Sequence, residues 1–276
     1  MNHHNHYFSP LEQKYYNYYL YRRKIISEPF VNSILIKEGL DHHVGLLRDC
    51  GHVELTPEYS NIKKDFEPVK KQIIDHYSES QIRVLSNPFN INGLFELIKK
   101  YLVPFSYLYY GCIPTIGYIK IIKSYTLSSA KDTQFFHRDP GSYNLLKAII
   151  YVSDVDSDSG PLVYVGGSNK DNLIGVSGRD RVSDSHIQER YENCINEITG
   201  PSGQISFFNA RGIHKGKLPV KNDRVAIIVN FSLHSEYGQK DNYSKITYQM
   251  NNRYSEYDLM LLDSCMPIFG VENDKS

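Results

Sequence analysis

Apolar side chains recur at helical spacing in the N-terminal part of the chain. Within residues 92–102, leucine, isoleucine and tyrosine follow one another at intervals of three or four positions, which indicates a helix with one buried face. We expect Pro104 to end this helix, because proline lacks the amide hydrogen that a helix interior requires. The polar segment 41–66, which includes His42 and His43, instead predicts irregular, solvated chain. Further helices are predicted at residues 8–40, 66–77 and 105–110.

A different pattern begins near residue 117, where short runs rich in β-branched and aromatic residues alternate with turn residues. Such runs are typical of strands. They occupy residues 117–125, 135–139, 147–155, 161–165, 204–209 and 224–233. Many short strands separated by turns favour a closed sandwich or barrel, with the helices packed outside. The predicted fold class is therefore α+β and mainly β.

Segment 169–199 interrupts the strands. It is polar and charged, and a short helix is predicted around residues 187–191. A long insertion on a rigid scaffold is typical of a lid or a substrate-binding loop, although a surface loop with no role in binding fits the pattern equally well. We predict one domain over residues 1–276. Its parts are a flexible tail at 1–8, a mainly helical part at 9–110, a core at 111–235 that contains the insertion, and an extension at 236–276 with a last helix at 255–262.

Charge and composition narrow the classes of function. The chain has 31 basic and 31 acidic residues, so it lacks the excess positive charge that nucleic acids or anionic membranes attract. No apolar run approaches the roughly 18 residues that cross a bilayer, and the N-terminus shows no signal-peptide pattern. Four scattered cysteines form no disulfide framework or zinc motif. These features predict a cytoplasmic protein with no nucleic-acid or membrane partner.

The strongest chemical signal is the sequence His137-Arg138-Asp139. On an extended strand, residues two apart point in the same direction, so the His137 imidazole and the Asp139 carboxylate can share a metal ion. His214, in the sequence Arg-Gly-Ile-His-Lys-Gly, is the best candidate for a third ligand. Two histidines and one carboxylate are the ligands of non-haem Fe(II) oxygenases, in which other coordination positions stay open for a co-substrate and O2.

An arginine follows the third ligand at a short interval. Arg224 begins a strongly apolar run ten residues after His214, and a guanidinium group is suited to hold a dicarboxylate co-substrate. The same histidine–acid spacing occurs at residues 52–54 and 234–236, but neither is followed by a strand, a distal histidine and an arginine. The alternative interpretation of the whole set is a surface turn, a core histidine and a salt-bridged arginine.

Two blocks of sequence surround these residues. Residues 134–168 read QFFHRDPGSYNLLKAIIYVSDVDSDSGPLVYVGGS, and residues 198–216 read ITGPSGQISFFNARGIHKG. The first block resembles the iron motif, strand, Gly-Pro-Leu turn and Gly-Ser-His of the phytanoyl-CoA dioxygenase family of Fe(II)/2-oxoglutarate oxygenases. The second block is similar to the segment of that family that carries the distal histidine. The resemblance covers residues 117–234, with one departure, Asn169 in place of the Gly-Ser-His histidine, which is not an iron ligand.

The resemblance implies a double-stranded β-helix, or jelly-roll, core. It implies that Fe(II) is held by His137, Asp139 and His214, and that 2-oxoglutarate and O2 are consumed, with succinate and CO2 released. The far carboxylate of 2-oxoglutarate would pair with Arg224. Hydroxylation is the favoured outcome, because Asp139 stands where related halogenases leave room for a halide.

Several other residues are candidates for contacts with ligands. Lys147 begins the strand after the metal pair and could bind a carboxylate, although a solvent-facing lysine fits its position equally well. Gln134 and Thr126 lie close enough in the sequence to the metal segment to reach the co-substrate. Arg211 and Lys215 flank the distal histidine and could meet an acidic substrate or lie in solvent.

The resemblance implies a small-molecule substrate, a metabolite or biosynthetic intermediate. Two alternatives stay open. The fold could serve as a non-catalytic jelly-roll binding module, or as a metal-dependent cupin-type enzyme that does not use 2-oxoglutarate. A binding module needs neither the three ligands nor the arginine, and Arg224 disfavours an enzyme without the co-substrate.

Overall fold

A computed structural model describes the part of the chain that surrounds the predicted site. The described residues are 40–55, 62–77, 82–84, 90–111, 114–126, 129–139, 145–170 and 180–232. The predicted tail 1–8, nearly all of the predicted helix 8–40 and the predicted helix 255–262 lie outside these ranges. The division of the chain into one domain with these parts stays a prediction.

Nine strands occur within the described residues. They are β1 (His52–Glu54), β2 (Ile82–Val84), β3 (Thr115–Ser124), β4 (Leu146–Tyr151), β5 (Leu162–Val165), β6 (Ile195–Ile198), β7 (Ile205–Asn209), β8 (His214–Gly216) and β9 (Arg224–Ser232). Six of them form an antiparallel sheet in the order β1-β7-β4-β9-β3-β2, and three form a second antiparallel sheet in the order β6-β5-β8. The mainly β prediction is therefore confirmed.

The larger sheet divides its side chains between two faces. Because successive strand residues point to opposite faces, Ile119 and Ile121 of β3 enter a hydrophobic cluster with the helices, whereas Tyr118, Lys120 and Ile122 line a cavity on the other face. The same alternation runs along β4 and β9. One face thus holds the sheet to the helical layer, and the other is available for a binding site.

The helical layer consists of α1 (Leu40–Cys50), α2 (Lys63–Tyr77), α3 (Leu94–Leu97) and α4 (Val103–Tyr110), with a π-helical turn at Ile98–Leu102. Phe105 of α4 stacks on Phe207 of β7, with ring centroids 4.0 Å apart. Fully burying one such aromatic side chain contributes about 2–3 kcal/mol. In the described part of the chain, no helix is long and apolar enough to cross a membrane.

The prediction of irregular chain over residues 41–66 is wrong. Helix α1 begins at Leu40, and its residues Leu40, Val44 and Leu47 are buried at intervals of three or four positions. His43 lies on the same buried face and is 9% exposed. Five polar residues and a glycine among eleven hide this stripe in the sequence, so the polar composition outweighs the apolar spacing.

Pro104 does not end the helical segment either. It lies in the first turn of α4, where a proline is tolerated because the amide hydrogens of that turn have no partner within the helix. The preceding π-helical turn, which carries the chain from α3 into α4, has no signature in the apolar spacing. The predicted helices at 66–77 and 105–110 are confirmed as parts of α2 and α4.

The predicted insertion 169–199 contributes to the sheets. Its described part contains the expected helix, α5 (Asp184–Tyr191), then a 3-10 turn at Glu192–Cys194, and then β6. Strand β6 pairs with β5 from Leu162↔Ile198 to Val165↔Ile195. With the sequence Ile-Asn-Glu-Ile and two exposed central residues, β6 is too short and polar for its pattern to predict a strand.

Candidate metal centre

The backbone brings the predicted metal ligands together without a regular strand at residues 135–139. Phe136 forms an isolated bridge with Val182, and His137 forms one with His214. The amide of His137 donates to the carbonyl of His214 at 2.9 Å, and the amide of His214 donates to the carbonyl of His137 at 2.9 Å. The predicted strand is therefore wrong as regular structure, since the segment changes partner between two neighbouring residues.

The three predicted ligands converge on one point. His137 Nε2 lies 3.7 Å from Asp139 Oδ1, and His214 Nε2 lies 3.6 Å from Asp139 Oδ2. The two imidazole rings have centroids 4.5 Å apart. Among the described residues, this is the one group of histidines, cysteines and acids whose ligand atoms all lie within 4.8 Å of one another. The pair His52 and Glu54, which has the same spacing, joins no such group.

Each histidine ring is oriented by a backbone carbonyl. His137 Nδ1 lies 2.9 Å from the carbonyl oxygen of Phe135, and His214 Nδ1 lies 2.9 Å from that of Gly212. A ring that donates from Nδ1 leaves Nε2 unprotonated, which is the form that binds a metal. Burial, and then the neighbouring His137, lower the pKa of His214 to about 3. Burial also lowers the pKa of His137, so both rings are neutral at neutral pH.

The carboxylate of Asp139 has a buried cation beside it. Lys147 Nζ donates to Asp139 Oδ2, and the amide of Asp139 donates to the carbonyl of Ala210 at 2.9 Å. Burial alone would raise the pKa of Asp139, but the charge of Lys147 holds it well below its usual range. The carboxylate is therefore ionised. Lys147 thus contacts a predicted metal ligand of the same chain, and its predicted role in binding the co-substrate stays a prediction.

Arg224 lies in the same cavity, at the start of β9. It is 5% exposed. Its guanidinium donates to the carbonyl of Gly160, and to Ser124 Oγ at 3.0 Å, while its Nε has no partner among the described residues. Both partners are neutral, and burial lowers the pKa of Arg224. A buried guanidinium without a carboxylate is costly, unless a ligand supplies the negative charge.

The cavity between the metal ligands and Arg224 has a volume of about 310 Å³. Its walls combine apolar residues of both sheets with the charged groups, among them Ile149, Leu162 and Phe208. A mostly apolar pocket with a few convergent polar groups is the usual form of a small-molecule site.

The remaining predicted ligand-binding residues fall in different places. Gln134 lines the cavity, and its side-chain carbonyl accepts from the amide of Lys131 at 2.8 Å. Thr126 is exposed and lies outside the lining, with its amide donating to Asp223 Oδ1 at 3.1 Å. The structure therefore does not bring Thr126 to the site, because β3 ends at Ser124 and the chain then turns to the surface.

Lys215, next to the distal histidine, is not directed at the cavity. Its ammonium group binds both oxygens of Asp184, at 2.6 and 2.5 Å, and lies 4.6 Å from the ring centroid of Phe136. Lys215 therefore anchors α5 beside the metal segment. Together with the bridge between Phe136 and Val182, this contact links the predicted insertion to the candidate site.

Several further residues in the cavity wall were not predicted, among them Tyr118 and Lys120 of β3 and Asn230 of β9. The alternation of β3 carries a signal for Tyr118 and Lys120, because these two residues alternate with the apolar Ile119 and Ile121. Asn230 has no such signal, since a single polar residue interrupts an otherwise apolar strand.

Comparison with solved structures shows which fold this is. The non-heme alpha ketoglutarate dependent epimerase SnoN from nogalamycin biosynthesis is 12% identical, over 70% of this chain and 80% of SnoN, with a TM-score of 0.54. EctD from S. alaskensis is 14% identical, over 69% of this chain and 76% of EctD, with a TM-score of 0.53. HygX from Streptomyces hygroscopicus, solved with nickel and 2-oxoglutarate bound, is 13% identical, over 69% of this chain and 85% of HygX, with a TM-score of 0.52.

The fold is that of the jelly-roll oxygenases. The predicted double-stranded β-helix core with helices packed outside is thereby confirmed. No family model matches the sequence, and no curated protein matches it. At such low identity the likeness establishes the architecture, and the function rests on the residues of the cavity.

Proposed function

We propose that this protein is an Fe(II)/2-oxoglutarate-dependent oxygenase that oxidises a small molecule. The observation that carries the proposal is the presence, in one cavity, of a two-histidine, one-carboxylate cluster and a buried arginine without a carboxylate partner. The first feature suits a divalent iron ion, and the second suits the far carboxylate of a keto diacid. Neither feature alone distinguishes this class of enzyme from other metalloproteins.

The three ligands fit iron by their chemistry. Both histidines are neutral, with Nε2 directed towards the carboxylate, and Asp139 is ionised, so no proton has to leave before a metal binds. His137, Asp139 and His214 would hold Fe(II), which together with 2-oxoglutarate would supply the electrons that activate O2. Lys147 orients the carboxylate from Oδ2, in the way that outer contacts commonly fix metal ligands.

The other residues of the cavity would bind the co-substrate and shield it from water. Arg224 is positioned by Gly160 and Ser124, so that its charge is fixed before a ligand arrives. Apolar side chains such as Ile149, Leu162 and Ile228 line the space between the arginine and the metal ligands. They would exclude water from the co-substrate, which strengthens the pairing of its carboxylate with Arg224.

Two finer points of the proposal rest on the sequence. The iron motif and the distal-histidine block resemble the phytanoyl-CoA dioxygenase family, and we place the protein in that family on this basis. SnoN, EctD and HygX support the broader class, since structures of SnoN and EctD contain 2-oxoglutarate with nogalamycin RO or with 5-hydroxyectoine, and the HygX structure holds it with nickel. A small-molecule substrate is the corresponding proposal for this chain.

The test is an anaerobic titration of the purified protein with Fe(II) and then with 2-oxoglutarate. We expect a weak visible charge-transfer band that depends on both additions and is absent from the His137→Ala variant. Iron bound by the wild-type protein without any band or heat on adding 2-oxoglutarate would contradict the co-substrate and leave a cupin-type metalloenzyme. Absence of iron binding would leave a binding module.

A further inference from the structure

The pairing of the strands places three cationic residues on the cavity face of the larger sheet. Lys147 of β4 lies opposite Asn230 of β9, which lies opposite Tyr118 of β3. In the next row, Ile149 lies opposite Ile228, and Ile228 lies opposite Lys120. Arg224 lies further along β9, opposite Ser124. The order along the sheet is therefore Lys147, Lys120 and Arg224, all on the face that lines the cavity.

The three cations differ in whether a carboxylate lies beside them. Lys147 contacts Asp139, and Arg224 is the residue proposed to meet the far carboxylate of 2-oxoglutarate. Lys120 has no carboxylate partner within the described part of the chain, and its Nζ lies 4.3 Å from the ring centroid of Tyr118. Burial, and then the charge of Lys147, lower the pKa of Lys120. Its charge is thus only partly offset by the protein.

Binding of iron and 2-oxoglutarate does not remove this excess of positive charge. The charged side chains of the described lining are three cations and the single carboxylate of Asp139, besides the two neutral histidines. A divalent metal ion and a dianionic co-substrate add opposite and equal charge. The loaded cavity therefore keeps more positive than negative charge, which favours an anionic second ligand.

A buried acceptor lies in the row next to Lys120. Asn230 is 4% exposed, and its Oδ1 has no hydrogen-bond partner among the described residues. An unsatisfied buried acceptor is costly, so a ligand that donates an N–H or O–H group there would be favoured. The side-chain amide also packs closely on β3, because a Cβ at Gly117 would come within 2.7 Å of Asn230 Nδ2.

We propose that the primary substrate is a small acid, whose anionic group pairs with Lys120 and whose hydroxyl or N–H group donates to Asn230 Oδ1. This inference rests on the proposed function, because it assigns Arg224 and the metal to the co-substrate. It narrows the substrate to hydroxy acids, acylated amino acids and compounds with the same pair of groups. Neutral small molecules and bases are excluded.

The test uses protein loaded with Ni(II), to prevent turnover, and saturated with 2-oxoglutarate, so that Arg224 is already occupied. The probes are 3-hydroxybutyrate, mandelate and N-acetylalanine, each compared with its primary amide by calorimetric titration. We expect the acids to bind at least about tenfold more tightly than the amides, since a charged hydrogen bond is lost in each amide. Butyrate, which lacks the hydroxyl donor, should bind more weakly than 3-hydroxybutyrate.

Two lysine variants show where the anion binds. Lys120→Met keeps the length of the side chain and should abolish the preference for acids. Lys123→Met removes a cation of the same strand that lies 3.6 Å from Asp223 and outside the cavity lining. This variant should retain the preference for acids. Equal binding of acids and amides, no binding of any acid, or an acid preference that survives in Lys120→Met would each overturn the proposal.

The co-substrate titration separates this inference from the proposed function. In Lys120→Met the affinity for 2-oxoglutarate should stay within about twofold of wild type, because Lys120 contributes no contact to it. A loss of tenfold or more would place Lys120 in the co-substrate site and overturn the acid-substrate proposal while leaving the oxygenase standing. Wild-type protein that binds metal but no 2-oxoglutarate would instead overturn the proposed function.

Discussion

At the metal end of the cavity, the buried cation Lys147 contacts the carboxylate of Asp139, whereas at the other end the buried Arg224 contacts only neutral oxygens. Both residues are at least nine-tenths buried. Because an isolated buried charge is unfavourable, the first end is electrostatically complete in the protein alone, and the second is completed by an anionic ligand. The comparison separates Lys147, which neutralises a carboxylate of the protein, from Arg224, which is proposed to bind 2-oxoglutarate.

Among the variants that test this difference between the two ends of the cavity, Lys147→Met is expected to have the largest effect. Removing the cation leaves Asp139 buried and unpaired, which should lower the free energy of unfolding of the metal-free protein by about 3 kcal/mol. A divalent metal ion offers Asp139 a replacement charge, so metal should stabilise the variant more than it stabilises wild type. Urea unfolding with and without Ni(II) measures both effects.

Lys123→Met is the matched control, because its partner Asp223 is more than a third exposed. We expect it to change stability by less than about 0.5 kcal/mol, as is usual for surface ion pairs. If Lys147→Met lowers the free energy of unfolding no more than Lys123→Met does, then Lys147 does not stabilise the buried charge of Asp139. The two ends of the cavity would then not differ in the way described.

Arg224→Gln should affect only the end of the cavity that contains Arg224. It removes the charge proposed to meet 2-oxoglutarate, and should raise the concentration of 2-oxoglutarate needed for half-saturation by about 100-fold. Binding of Ni(II) in the absence of 2-oxoglutarate should not change. Calorimetry or the visible band provides the readout.

Arg181→Gln is the control for this experiment, since Arg181 pairs with the exposed Asp132 at 2.8 Å and does not line the cavity. If Arg224→Gln needs no more 2-oxoglutarate for half-saturation than wild type does, then the far carboxylate of 2-oxoglutarate binds at another residue. Loss of nickel binding in the same variant would show that the two ends are not independent.

The smallest expected effect concerns pH. The pKa of His214 is lowered from 6.5 to about 3 by burial and by His137. Below pH 6.5 the unfolded chain binds a proton at this residue that the folded protein does not, so the free energy of unfolding falls as the pH is lowered towards 3. At pH 5 this contribution amounts to about 2 kcal/mol.

The measurement is urea unfolding of the metal-free protein at pH 7 and pH 5, for wild type and for His214→Gln. The variant cannot bind this proton and should show a pH dependence smaller by about 2 kcal/mol. Identical pH dependence in the two proteins would mean that folding does not lower the pKa of His214, which would contradict its burial as a neutral ring.

The residues of the candidate site could be identified from the sequence. His137, Asp139, His214 and Arg224 were predicted from motif, spacing and resemblance, and the structure places all four around one cavity. The long apolar strands β3, β4, β7 and β9 were also predicted, because each carries enough β-branched residues to give a clear pattern. Their pairing order was not predicted, and the jelly-roll fold was implied by the resemblance.

What the sequence could not show depends on pairing between distant segments. Lys147 was equally compatible with solvent, because one residue of register decides which face of the sheet a side chain occupies. Asn230 became visible as a cavity residue only through its opposition to Lys147. Strands β1, β2 and β8 have three residues each, and they are held by their neighbours rather than by local propensity.

The reciprocal backbone hydrogen bonds between His137 and His214 have a consequence for how the protein matures. The two histidines are separated in the sequence by strands β4 to β7, so the chain between them has to close before both predicted ligands are in place. Closing such a loop is among the entropically expensive events of folding and is expected late. A nascent or partly folded chain would therefore offer no high-affinity ferrous site, and iron capture would report that folding of the core has finished.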